Sequence, residues 1–134
     1  MKKRTKISIA IAAAVVIAAG LLTYELISVH RYKDEVAEIA FMHKDAGGIP
    51  DGTYIGECDV DYVYAKVEVQ VKDEQIVGIV LLEHKNGRGQ AAESIVDEII
   101  AQQRIDVDVV AGATNSSQVI KKAVDNALSS AVSN

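Results

Sequence analysis

The stretch from Ile7 to Tyr24 constrains this chain more than any other: 18 consecutive residues without a charge, rich in Ile, Ala, Val and Leu. As a helix rising ~1.5 Å per residue it reaches roughly 27 Å, close to the ~30 Å hydrocarbon core of a bilayer. Four cations (Lys2, Lys3, Arg4 and Lys6) precede it, and no acid occurs before Glu25. That asymmetry predicts a single-pass anchor in the cell membrane, with the N-terminus cytoplasmic and the rest exported. A buried core helix would not need its basic residues on one side only. A cleaved signal peptide is the rival reading, because Ala18-Ala19-Gly20 offers small residues to a peptidase. Against cleavage, the apolar run continues through Leu21 and Leu22, and no cysteine follows directly for lipid attachment.

The remainder is acidic. Of 14 Lys and Arg, ten lie after Tyr24 together with all 19 Asp and Glu, a net −9 over residues 25–134. Such a body repels phosphate backbones, which argues against general nucleic-acid binding. These 110 residues suffice for one domain and not for two. With 49% hydrophobic residues the chain is not intrinsically disordered. The lone cysteine, Cys58, excludes a disulfide scaffold and reads as a small apolar filler or a reactive thiol. There is no HExxH, P-loop or paired-cysteine metal site, and His30, His43 and His84 are dispersed, so no metal centre is expected.

Hydrophobic spacing divides the chain into an anchor or signal (1–24), a helical stalk or linker (25–50) and a domain (51–134). The stalk helix is expected over Glu25–Lys44, broken by Ala46–Gly52, which carries the only proline. Thr53–Glu57 reads as a short strand leading into Cys58 and an Asp59–Tyr64 loop. Ala65–Lys72 alternates apolar and polar as a sheet covered on one face should. After a polar turn at Asp73-Glu74-Gln75, Ile76–Glu83 forms the partner strand, with Gly78 marking a possible bulge. A helix from Ala91 to Gln103 follows, then a short extended run, Asp106–Val110. The last helix, Ser116–Ala131, places Val119, Ile120, Ala123, Val124, Ala127 and Leu128 on one face. The fold class is α+β: a small antiparallel sheet with helices packed on one face, preceded by an N-terminal transmembrane helix.

The segment Asp106–Ser117 leaves an extended run, turns on small residues and opens a helix with Thr114-Asn115-Ser116-Ser117. The first N–H groups of a helix lack internal partners, and the helix dipole adds partial positive charge, so this is a seat for a phosphate. Gly112 and Ala113 leave the backbone open to close approach. The plain alternative is that Thr114 or Ser116 only caps the helix.

This segment, Asp108-Val-Val-Ala111-Gly112-Ala113-Thr114-Asn115-Ser116-Ser117, resembles the flavinylation motif of the FMN-binding domain family. Asp51-Gly52-Thr53-Tyr54-x-Gly56, Val67-Glu68-Val69, Leu82-Glu83-His84-Lys85 and Ala123-Val124 extend the resemblance over residues 51–130. That family includes the flavin-carrying subunits of sodium-pumping quinone reductases and of related ferredoxin-oxidising membrane complexes. The resemblance implies FMN joined to Thr114 by a phosphoester, made by a flavin transferase that uses FAD and a divalent metal. It implies open approach at Gly112 and Ala113, phosphate held near Ser116 and Ser117, and Asp108 as the acid that the transferase needs. Ala111 departs from the family's usual Ser; with Gly112-Ala113-Thr114 and Asp108 intact, modification is expected to survive at a lower rate. The loop after His84, Gly87-Arg88-Gly89, would lie near the flavin, with His84 or Arg88 donating to its ring; the plain reading is a solvated turn. Tyr54, Tyr62 and Tyr64 either stack on the flavin or pack the sheet edge, and Asp59 and Asp61 read as a solvated loop.

The implied function is a membrane-anchored, extracytoplasmic electron carrier with no catalytic acid or base of its own. Its donor would be a membrane quinol or NADH dehydrogenase, and its acceptor is left open. The alternatives are a cell-surface binding or structural module without flavin, and a flavin-dependent reductase of a small acceptor.

Overall fold

The computed structural model describes residues 2–37, 39–85 and 89–133. The chain divides into two compact units, meeting between Asp34 and Glu35. The first lies within helix α1 (Lys2–Ala37), whose apolar side chains from Ile7 to Ile27 are exposed. By length and composition alone, this helix is long and apolar enough to cross a membrane.

The second unit is α+β. Strands β1 (Gly52–Val60), β2 (Val63–Lys72) and β3 (Gln75–Lys85) form an antiparallel sheet in that order. A 3₁₀ turn (Gln90–Ser94), helix α2 (Ile95–Gln102) and helix α3 (Thr114–Val132) follow. The alternation in β2 does what its spacing predicts: Ala65, Val67, Val69 and Val71 face inward and are buried, while the intervening polar residues face out. The turns are tighter than expected. Val60 pairs with Val63, so β1 continues through Cys58 and only Asp61-Tyr62 connects the strands. Asp73 and Glu74 both take positive φ, 51° and 59°, the pattern of a two-residue turn whose twist matches its strands. The bulge lies beside Gly78: Gln70 pairs with Gly78 and Val71 with Ile76, leaving Val77 as the extra residue.

Helix α3 organises this unit. Its expected face, Val119, Ile120, Ala123, Val124, Ala127 and Leu128, is wholly buried. It lies directly on β1: a Cβ on Gly56 would collide with the Ala123 carbonyl and the Ala127 amide. Side-chain-free contact there sets the helix–sheet distance. Asn126 Nδ2 adds a 2.8 Å bond to the Glu57 carbonyl.

The opposite side of α3 is buried as well, which the apolar pattern did not announce. Ser116, Ser117, Lys121 and Asp125 are all nearly inaccessible. Residues 39–50, expected as part of a helical stalk and linker, cover part of this side. Helix α1 stops at Ala37, and Val36, Ala46 and Ile49 are buried in the second unit. The connector is held by Asp125, which is fully buried. Its carboxylate accepts the Met42 N–H at 3.0 and 3.1 Å, the His43 N–H at 2.8 Å and His43 Nδ1–H at 3.1 Å. Lys122 Nζ donates to it at 2.6 Å and to the Ala40 carbonyl at 2.7 Å. Folding these charges inward costs desolvation, offset by satisfying every carboxylate oxygen.

The expected extended run Asp106–Val110 joins no sheet. Its backbone groups find other partners: the Ile105 N–H donates to the Lys44 carbonyl at 2.8 Å, and side chains of α3 take the Val107 carbonyl and the Val110 N–H. A chain satisfied in this way needs no strand partner.

Two outcomes follow. Gly56→Ala forces α3 off β1 and is expected to cost about 3 kcal/mol, the upper end of overpacking, read from urea unfolding of the full chain in detergent. Burial pushes the Asp125 carboxyl up, but Lys122, the Met42 and His43 amides and the His43 ring together hold it below its ordinary range. Its contribution is therefore complete above about pH 4 and is lost as pH falls through the lowered folded value. Melting temperatures from pH 2 to 6 should fall more steeply in the parent than in Asp125→Asn.

Candidate functional site

The turn before α3 is built by three backbone devices. Val110 and Ala113 close a turn through a 2.9 Å Ala113 N–H bond to the Val110 carbonyl. Its third residue is Gly112, at φ +79°, a conformation that turns of this kind reserve for glycine. Ala113 is then the N-cap of α3 and supplies no side-chain cap. Its carbonyl accepts the first intrahelical bond, from the Ser117 N–H at 2.9 Å. The capping role considered for Thr114 or Ser116 is thus not realised. Helix α3 begins two residues earlier than its spacing predicts, and Thr114 is its first residue.

Thr114 and Gly112 are exposed, Ala113 is 6% exposed, and Ser116 and Ser117 are buried. A Cβ on Gly112 would meet no atom within 4 Å, so the approach to Thr114 is open. The amides of Thr114, Asn115 and Ser116 belong to a first turn that has no intrahelical acceptor. Ser117 has a different part from the one expected. Its hydroxyl donates to the Ala113 carbonyl at 2.8 Å and accepts the Val110 N–H at 3.0 Å, so it locks the turn from inside. Asp108 is exposed on the segment leading to the turn. Ala111 is exposed as well, so the hydroxyl it lacks leaves no buried gap.

Lys121, one turn beyond Ser117, was not singled out by the sequence. Its ammonium donates to the Val107 carbonyl at 2.7 Å and sits 5.2 Å from the centre of the Phe41 ring. Burial lowers its pKa, and the Asp106 and Asp108 carboxylates partly restore it.

The structure brings Gly112, Ala113, Thr114, Ser116 and Ser117 into one turn, with Asp108 on the same segment. His84 stands apart, at the end of β3. Its ring is 2% exposed, and Nδ1–H donates to Glu93 Oε1 at 3.0 Å. Glu93 lies in the 3₁₀ turn, which packs against α3. Arg88, with Asn86 and Gly87, lies outside the described residues.

Two of the three tyrosines make hydrogen bonds away from this turn. Tyr54 donates to the Pro50 carbonyl at 2.8 Å and Tyr64 to Glu57 at 2.9 Å, the latter pushing the Tyr64 phenol up to about 12. Cys58 is half-buried, and burial raises its thiol; that disfavours a reactive thiolate and suits an apolar filler. No cluster of three or more metal-ligating side chains occurs among the described residues.

The decisive observation is a family comparison. Residues 63–129, half of the chain, match the model of the FMN-binding domain. The chain belongs to the FMN-binding domain family. The match runs from the start of β2 nearly to the end of α3, so it includes His84, Asp108 and the whole Thr114 turn. The connector and β1 of this FMN-binding domain lie outside it. No curated protein compared with the chain matches it.

The turn fits the phosphate end of FMN. It offers an exposed hydroxyl, first-turn amides without an intrahelical acceptor and an open glycine, and the buried Ser117 hydroxyl is already satisfied. Ser117→Ala should leave the Val110 N–H without its buried partner and cost about 1–3 kcal/mol, measured by urea unfolding.

Proposed function

We propose that this chain is a membrane-anchored flavoprotein that carries FMN covalently on Thr114 and relays electrons outside the cytoplasmic membrane. The observation that carries this reading is the exposure of Thr114 at the first position of α3, directly after the open, left-handed Gly112. In the attachment step Thr114 Oγ1 forms a P–O bond to the FMN phosphorus of FAD. The pyrophosphate P–O bond breaks, AMP leaves, and the threonine proton is lost to the transferase or to water. Asp108, exposed six residues earlier, is available to that enzyme. The amides of Thr114, Asn115 and Ser116 then face the phosphate charge, which the positive end of α3 favours.

Once bound, FMN supplies the redox chemistry, and the protein supplies position and electrostatics. His84, at the end of β3, is oriented by its 3.0 Å bond to Glu93. The apolar stretch of α1 and the cations that precede that stretch support an anchor with a cytoplasmic N-terminus. A covalent link suits that placement, since a dissociable cofactor would be lost to the medium. A membrane quinol or NADH dehydrogenase is the donor class this placement suggests, and the net acidic body would steer basic partners.

One observation favours a second reading, an unmodified surface module: Ala111 stands where the family's motif carries Ser. Mass separates the two. The full chain, co-produced with an exported flavin transferase, should gain the mass of FMN less water, and Thr114→Val should gain nothing. An unmodified parent, beside a transferase active on another substrate, would leave the surface module as the reading to pursue.

A further inference from the structure

We propose that Lys121 is a positioning residue for the Thr114 turn, its ammonium fastening the preceding segment to α3 through the Val107 carbonyl; this rests on Thr114 being the attachment residue. Residues 105–113 carry the acid and the turn of the site, yet they belong to no helix or strand. Their first residue is tied to Lys44, and Val110 is tied to Ser117. Between these points, Lys121 bonds the Val107 carbonyl at 2.7 Å, next to Asp108. Ser117 and Lys121 are four apart and so share one face of α3. Together they hold the segment along the helix.

A lysine is a costly choice for a site only 5% exposed. A methionine would fill similar space without desolvating an ammonium. What lysine adds is a charged donor to a buried carbonyl, together with attraction for the flanking Asp106 and Asp108 carboxylates. The Phe41 ring, 5.2 Å away, adds a cation–π contact. Phe41 belongs to the connector, so the same ammonium joins connector, helix and attachment segment. Lys121 touches neither Thr114 nor the phosphate seat, and its role is to keep the turn in the form that the transferase accepts.

If only a fraction of the chain presents that form, the transferase sees its substrate diluted by that fraction. The full chain in detergent, with flavin transferase, FAD and Mg²⁺, gives initial rates as a function of chain concentration. Lys121→Met is expected to raise KM about tenfold and leave kcat within about twofold, while Lys121→Arg returns KM towards the parent. Amide exchange should quicken over residues 107–114 in Lys121→Met and stay at the parent rate in β2 and α2. If Lys121→Met fails to fold, Lys121→Gln carries the test, with KM expected between parent and tenfold. A modified parent with an unchanged KM in the neutral variant overturns the proposal and leaves Thr114 as the attachment residue. Exchange that quickens throughout the domain, with no recovery in Lys121→Arg, also overturns it by making Lys121 an ordinary stability residue. A parent no more modified than Thr114→Val overturns the attachment reading itself, and this inference with it.

Discussion

The buried carboxylate of Asp125 is the interaction on which the rest of the second unit depends. It receives two consecutive backbone amides, a histidine ring and a lysine, and so converts a polar connector into a wall of the domain. Without that wall, α3 would be covered by the sheet on one side and bare on the other. Lys121 would then lie in water, where its bond to Val107 is worth far less. A charge this deep is tolerable only because every neighbour is a donor. The same donors that repay its desolvation also determine which segment can lie there.

The helix is therefore central in two senses. Towards the sheet it presents small and branched apolar residues, and Gly56 lets it rest on the backbone of β1. Towards the connector and residues 105–113, which precede the helix, it presents Ser117, Lys121 and Asp125, each bonded to main-chain atoms of a segment without regular structure. Non-regular backbone cannot satisfy itself, so it has to be satisfied by side chains from a rigid neighbour. That is how an exposed threonine can be held at a defined place by residues that never touch it. The turn before α3 thus inherits its order from α3 and the connector.

Much of this was legible in local pattern. The 18-residue apolar stretch, the alternation of β2 and the i, i+4 face of α3 each report a periodicity that one element imposes on its own residues. The turn before α3 was legible because it is local: Gly112, Ala113 and Thr114 are adjacent, and the left-handed glycine serves the same short loop. Two readings failed for the opposite reason. Asp106–Val110, read as an extended run, would need a partner strand to join the sheet, and α3 side chains took that place. The stalk was carried too far because helical spacing persists beyond Ala37, although those residues pack against the domain.

The amino-acid sequence by itself determined the class of fold, the apolar N-terminal helix and the residues that make up the turn before α3. Each of these is fixed by interactions within a few residues. Tertiary structure alone decided that Asp125 binds Met42 and His43, 83 and 82 residues earlier, that Lys121 points inward and that Ser117 locks a turn. A charged residue on a helix reads as a solvated face until something covers it. What covers it here is irregular backbone, which leaves no periodic trace in the sequence.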